Sequence, residues 1–218
     1  ATVPATVTIP EGYGGWEFTI IGKAVGTVPI MASVAGFSAT STATVVKPTF
    51  QWNGVPVQMT LGATAGISIS TYVPNGSYYY YWSGLRGNPN QVVDQAVTVS
   101  LSSENPAVIQ VPASTTIAVG NSGSPGFNIQ AVGTGTSTLT ASASSWDSKA
   151  TGTITAVGPW IKADVTVGVG CRTTGAVGLT GATAPAGGYT INLTNNNPGV
   201  ATVPATVTIP EGYGGWEF

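Results

Sequence analysis

The chain has 218 residues, room for one large or two small domains. Only 6% are charged, against about 25% in an ordinary soluble domain, and six Lys and Arg against eight Asp and Glu give a formal net charge of −2. No basic patch exists to grip phosphates, which argues against nucleic acid, and no polybasic run suits anionic lipid. Although 42% of residues are hydrophobic, Thr, Ser, Gly and Pro interrupt them long before the roughly 20 apolar residues a membrane helix needs.

The chain opens on a segment that returns at its other end. ATVPATVTIPEGYGGWEF occupies residues 1–18 and again 201–218, without a mismatch. This is the pattern of a tandem array seen over slightly more than one 200-residue period. The duplication also explains the charge. Without Glu211 and Glu217 the eight acids become six and match the six bases, so one period is formally neutral. Thr, Val, Gly and Ser dominate while Leu, Glu and Lys are few, a composition of strands and not of helices.

In chain order, the first predicted strand is Trp16-Glu-Phe18-Thr-Ile20, alternating apolar and polar after the turn Glu11-Gly12-Tyr13-Gly14-Gly15. Next comes the run GTVPIMASVAGFSATSTATV, ending at Lys47-Pro48. Val97, Val99 and Leu101 alternate with Thr98 and Ser100, as in a half-buried strand. Turn signals follow at Asn105-Pro106 and Gly120-Asn121-Ser122-Gly123, and a strand pattern at Phe127-Asn-Ile129-Gln-Ala131. After Gly158-Pro159 the turn Pro185-Ala-Gly187-Gly188 precedes the alternating Tyr189, Ile191 and Leu193. No segment holds a 3.6-residue period over ten residues. The fold class is therefore all-β, with about seven strands per roughly 100 residues and turns every 8–12, the signature of a β-sandwich.

An older repeat lies inside the period. VTVSLSSENPAVIQVPA at 97–113 and YTINLTNNNPGVATVPA at 189–205 share Leu101 with Leu193, Asn105-Pro106 with Asn197-Pro198, and Val111-Pro112-Ala113 with Val203-Pro204-Ala205. The tetrapeptide Ala131-Val132-Gly133-Thr134 echoes Ala24-Val25-Gly26-Thr27 in the same alignment. Each period thus holds two diverged sister units. The run NNNPGVATVPATVTIPEGYGGWEFTI…AVGTVPIMASVAGFSATSTATV resembles the bacterial immunoglobulin-like domains of large surface proteins, adhesins and invasin-type arrays, and residues 97–157 fit the same pattern. The resemblance covers the later two-thirds of both units. It implies extracellular tandem immunoglobulin-like sandwiches that act mainly as spacers, and it carries over no catalytic residue. On this reading 1–46 is the C-terminal part of one domain, 47–158 a complete domain with an insertion at 74–95, and 159–218 the N-terminal part of the next.

Candidate chemistry is sparse. Without histidine, Ser-His-Asp, Cys-His and His-based metal sites are excluded. Glu11, Glu17, Asp94, Glu104, Asp147 and Asp164 are scattered, and no D-x-D-x-D cluster suggests calcium. Glu11 and Glu17 flank a turn and could face each other like glycosidase carboxylates, but as solvated turn charges they need no further account. Gly12 to Gly15 lack the Lys and following helix of a phosphate loop. Asn75-Gly-Ser77 and Asn192-Leu-Thr194 are glycan-acceptor triplets. Cys171 is the sole cysteine, read either as a small buried hydrophobe or as a thiol that bonds a neighbouring chain. No enzyme activity, cofactor or metal is expected.

The insertion is the most distinctive stretch. It holds Tyr78, Tyr79, Tyr80, Tyr81, Trp82 and Arg86 among Asn, Gly and Ser, the composition of contact loops. Three readings stay open: a hairpin whose aromatics cover their own sandwich or the next domain, chain-to-chain packing in a fibre, or contact with a glycan or another surface. The expected role is a structural repeat unit of an extracellular fibre, filament or cell-surface protein, partnered by neighbouring repeats or copies of itself, head to tail. The alternative is an adhesin module that contacts glycan or another surface through aromatic and Thr-rich faces.

Overall fold

The computed structural model describes residues 1–80, 84–184 and 186–218, and only the backbone of 79 and 80. No helix occurs among the described residues, and the protein is all-β with several sheets. The first strands, β1 (Gly26–Val34) and β2 (Phe37–Val45), form an antiparallel hairpin paired from Gly26↔Val45 to Val34↔Phe37. Its two-residue turn, Ala35-Gly36, has positive φ at both positions (47° and 83°). Such a turn matches the right-handed twist of the strands it joins.

Strands then resume at Thr49. They are β3 (Thr49–Asn53), β4 (Gln58–Thr60), β5 (Thr64–Tyr72), β6 (Ser77–Tyr80), β7 (Gly84–Gly87), β8 (Val97–Ser103), β9 (Ile109–Gln110), β10 (Ser114–Ile117), β11 (Phe127–Ala131), β12 (Gly135–Ser137), β13 (Leu139–Ser142), β14 (Lys149–Ala150) and β15 (Ile154–Val157). Two four-stranded sheets, ordered β3-β5-β11-β9 and β10-β8-β13-β14, are joined by a three-stranded sheet, β12-β15-β4, and flanked by the separate hairpin β6-β7. Alternation decides which side chains go inward: Val99 and Leu101 are buried while Thr98, Ser100 and Ser102 face water. Two apolar clusters result. One gathers Met59, Ile67, Ile109, Ile129, Leu139 and Ile154; the other gathers Phe50, Ile69, Val99, Leu101, Ile117 and Ala141. Trp52, Val111 and Phe127 pack against both, so the core is continuous.

The chain changes sheets at Thr138. Residues 135–137 pair with β15, and Leu139–Ser142 pair with β8. Buried Ser137 fixes that corner: its Oγ accepts from the Asn105 N–H at 3.0 Å and lies 2.9 Å from Ser103 Oγ. Thr138 Oγ1 donates to Glu104 Oε2 at 2.8 Å on the outside.

The remaining strands are β16 (Pro159–Lys162), β17 (Ala176–Leu179), β18 (Tyr189–Asn192), β19 (Thr206–Ile209) and β20 (Gly215–Glu217). They form the sheets β16-β17-β20 and β18-β19 around a smaller core of Val177, Leu179, Ala184, Ile191, Val207 and Ile209. Hydrogen bonds link this part to residues 47–158: Gln58 Nε2 donates to the Thr180 carbonyl and Tyr189 OH to the Leu61 carbonyl, each at 2.9 Å, and Thr180 Oγ1 donates to the Gly158 carbonyl at 3.4 Å. None of the three apolar clusters spans both parts.

The repeated segment takes two conformations. At 201–218 it supplies β19 and β20, and Val207 and Ile209 are buried. At 1–18 it forms no strand, and Val7 and Ile9 stay exposed. The predicted strand Trp16–Ile20 is accordingly not formed; only a single bridge, Thr2↔Ile21, occurs nearby. The reason is the partner. Trp216 lies against Val177 of β17, whereas no described strand lies beside Trp16. Between the strands, the turn is the same in both places. The Tyr13 N–H donates to the Pro10 carbonyl and the Tyr213 N–H to the Pro210 carbonyl, each at 3.1 Å, while Gly12 and Gly212 have φ of 83° and 80°. Each Tyr packs edge-on against its Trp at 5.5 Å. The turn is encoded locally, and the strand is granted by tertiary context.

Candidate interaction surfaces

No titratable or metal-ligating constellation forms among the described residues, where no group of three His, Cys, Asp or Glu gathers. Glu11 and Glu17 lie exposed around their turn. Asp94 and Asp147 meet Lys23 and Lys47 at 3.7 and 2.7 Å in exposed ion pairs, worth at most about 1 kcal/mol each. The surfaces of interest are apolar faces and strand edges.

The first is the β1–β2 hairpin. No residue of 1–46 is buried, and Met31, Val34 and Phe37 are 69%, 74% and 78% exposed. Scattered apolar side chains are normal on a surface, and three this exposed on one hairpin make it a candidate interaction surface. The sequence held a signal for it, since GTVPIMAS repeats the GTSTLTAS of β12 and β13, which is half inside a core. The second surface is the edge of β18 facing away from β19, beside which no described strand lies. Unpaired N–H and C=O groups along such an edge are a template for another strand.

The third is the insertion. It folds as a hairpin in which Tyr78 stands opposite Arg86, Tyr79 opposite Leu85 and Tyr80 opposite Gly84. Tyr78 is about half exposed, and Leu85 and Arg86 face water. Tyr81 and Trp82 lie outside the described residues, as do the side chains of Tyr79 and Tyr80. The base of the hairpin is well tied. The Asn88 N–H donates to the Gly76 carbonyl at 2.6 Å, the Val73 N–H to the Pro89 carbonyl at 2.7 Å, and Thr71 Oγ1 to the Gln91 carbonyl at 2.7 Å. Gly76 is needed there, because a Cβ would sit 2.4 Å from the Asn88 carbonyl oxygen. Asn75 beside it has φ of 55° and faces water, so its glycan-acceptor triplet lies on an exposed turn.

Cys171 is exposed, which overturns its reading as a small buried hydrophobe. It sits in the Gly- and Thr-rich stretch between β16 and β17, where its N–H closes a turn onto the Gly168 carbonyl at 2.9 Å. That stretch contributes no side chain to the nearby core, so nothing covers the sulfur.

No protein-family model matches the chain, and no curated protein matches it. Among solved structures, a glycosyl hydrolase family 2 member from Bacteroides cellulosilyticus is similar over 62% of this chain at 14% identity, with a TM-score of 0.36. This chain covers 18% of that structure, and the hydrolase's activity is a statement about the hydrolase alone.

Proposed function

We propose that this chain is slightly more than one period of a tandem-repeat structural protein of the extracellular or cell-surface kind. Each 200-residue period would hold two immunoglobulin-like sandwiches related to bacterial immunoglobulin-like repeats, acting as spacers that also self-associate. On this reading 47–158 is one whole sandwich, while 159–218 and 1–46 are the leading and trailing parts of its sister.

One observation carries the reading. The same eighteen residues are folded into a core at 201–218 and left uncovered at 1–18. A segment that needs a partner, and finds it at only one of two places, belongs to a unit repeated along a longer chain. The near absence of charge supports close contact between neighbours, since no net repulsion separates them. The test is an array of one, two and three periods studied by small-angle scattering. The maximum dimension should rise by a constant increment per period, as in a solenoid-like row of domains. A compact particle whose dimension grows only as the cube root of mass would refute it.

The adhesin alternative has its own support. Thr40, Thr42 and Thr44 stand exposed in a row on β2, and Tyr78 is exposed on the insertion. An oligosaccharide panel tests it: binding lost in a Tyr78→Ser, Arg86→Ser variant would favour adhesion over simple spacing.

A further inference from the structure

The sheet β3-β5-β11-β9 buries its inner side chains, among them Phe50, Ile67, Ile69 and Ile129, and turns its other face to water. Along β5 the outward side chains are small: Thr64, Gly66, Ser68 and Ser70. Longer amides flank that line, Gln51 and Asn53 from β3 and Asn128 and Gln130 from β11. The face is therefore a shallow trough running along β5. Asn53 Nδ2 donates to Ser70 Oγ at 2.7 Å, which holds one of the flanking amides in place. At one end stands Tyr72, 39% exposed, six steps of about 3.3 Å or about 20 Å from Gly66.

Gly66 is the telling residue. A glycine inside a strand weakens it by roughly 0.5–1 kcal/mol, and it usually marks a bulge or a place where backbone or ligand comes close. No bulge occurs here, since Ile67, Gly66 and Ala65 pair in unbroken register with Phe127, Asn128 and Ile129. Its φ lies outside the left-handed region that calls for glycine. Among the described residues, only Asn128 Oδ1 comes within 4 Å of where a Cβ would stand, at 3.6 Å. The strand β17 gives the contrast. There a Cβ on Gly178 would stand 2.2 Å from the indole of Trp160, so the protein itself occupies the space. Over Gly66 the space is open.

The chemistry of the trough selects its occupant. None of the four strands holds a charged residue, so neither an anion nor a cation finds a partner on them. Apart from the Tyr72 ring the face offers no apolar side chain to a lipid or an apolar peptide. What it offers is amides, each with two N–H donors and one carbonyl acceptor, and hydroxyls that do both. Sugar hydroxyls likewise donate and accept, while the C–H face of a sugar ring can rest on bare backbone or on an aromatic ring.

We propose that this face binds an uncharged oligosaccharide laid along β5, with one ring over Gly66 between the flanking amides and a later one on Tyr72. This adds a ligand site to the spacer reading, and it stands apart from the Tyr78 and Thr40 surfaces of the adhesin alternative.

The test is calorimetric titration of the full chain with cellohexaose, mannohexaose and xylohexaose, and with hexagalacturonate as the charged counterpart. At least one neutral probe should bind with Kd below about 1 mM, and hexagalacturonate should not. Gly66→Val fills the trough with a residue suited to strands; it should weaken binding at least tenfold while the urea midpoint stays as high as the parent's. Tyr72→Ala should weaken it about fivefold, the size of an aromatic stacking contact. Thr98→Ala, exposed on the opposite sheet, should change nothing. If Gly66→Val lowers the midpoint, the exposed pair Asn128→Ala, Gln130→Ala decides instead, and undiminished binding there refutes the site. No binding of any neutral probe overturns the proposal, as does equal binding of hexagalacturonate. Binding that survives Gly66→Val but is lost in Tyr78→Ser, Arg86→Ser overturns it too and moves the site to the insertion. None of these outcomes touches the scattering test of the repeat reading, which reads shape and not binding.

Discussion

Ile9 and Ile209 occupy the same place in the repeated segment, and truncating each of them separates local sequence from context. Ile209 is fully buried, one of six residues in the core with Val177, Leu179, Ala184, Ile191 and Val207. Ile9 is 51% exposed and belongs to no cluster. Removing a buried Ile to Ala costs about 2–5 kcal/mol, from lost transfer energy and the cavity left behind. An exposed position away from a core changes stability by less than about 0.5 kcal/mol. Ile209→Ala is therefore expected to cost about 2–5 kcal/mol in 159–218, and Ile9→Ala almost nothing.

Hydrogen exchange by mass spectrometry at low concentration reads this difference segment by segment. At the lower figure of 2 kcal/mol, the amides of β18 and β19 lose about 30-fold in protection in Ile209→Ala. In Ile9→Ala they keep it, and β3 to β15 are unaffected in both variants. Equal losses in the two variants would refute the reasoning, because the 1–18 segment would then be buried in the working protein. Loss in Ile9→Ala alone would mean that 1–18, and not 201–218, occupies the core.

Other substitutions test other parts. Ser137→Ala strips a partner from the Asn105 N–H and from Ser103 at a buried corner; a fall of about 1–3 kcal/mol is expected in urea denaturation of 47–158. Gly76→Ala forces a Cβ against the Asn88 carbonyl; limited proteolysis should then cut within 77–87 while β8 to β15 stay resistant. Ala35→Asn places a residue tolerant of positive φ in the β1–β2 turn; the hairpin should gain up to about 1 kcal/mol, read as added hydrogen-exchange protection over 26–45. Trp52→Phe removes the bond from the indole N–H to the Lys149 carbonyl at 3.0 Å; about 1 kcal/mol should be lost with the fold retained, as judged by the denaturation midpoint.

How much of this was legible depended on where each residue's partner lay. Val97, Val99 and Leu101 announced β8 by alternation, because period two is a property of the strand itself. The offset between sister units even carried the β8–β10 register over to β18–β19. Trp16, Phe18 and Ile20 alternate just as well and form no strand; alternation states which face is apolar, not whether anything covers it. The switch of sheets at Thr138 escaped notice because it is set by two different partners, residues 154–156 on one side and 100–103 on the other, and the parallel pairing of β4 with β15 because its partners, such as Gln58 and Thr155, lie nearly a hundred positions apart. The aromatic insertion was legible as an insertion and as a hairpin, but the tie at its base was not, since Gly76 reads as turn punctuation and not as a close approach. Cys171 was misjudged because average burial of cysteine says nothing about a Gly- and Thr-rich stretch with no core beneath it.

The turn shared by Pro10–Trp16 and Pro210–Trp216 has a consequence for timing. Its hydrogen bond, its left-handed glycine and its Tyr–Trp contact are present whether or not the flanking strands have found a sheet. Fixing one residue's backbone costs about 1–2 kcal/mol, and for much of this segment that ordering precedes the encounter with β17. What remains is the zippering of two short strands from a ready-made corner, a search on the scale of β-hairpin formation, about 1–10 μs. The turn is thus the expected starting point for folding of either copy, and the neighbouring sheet decides which of the two goes on to completion.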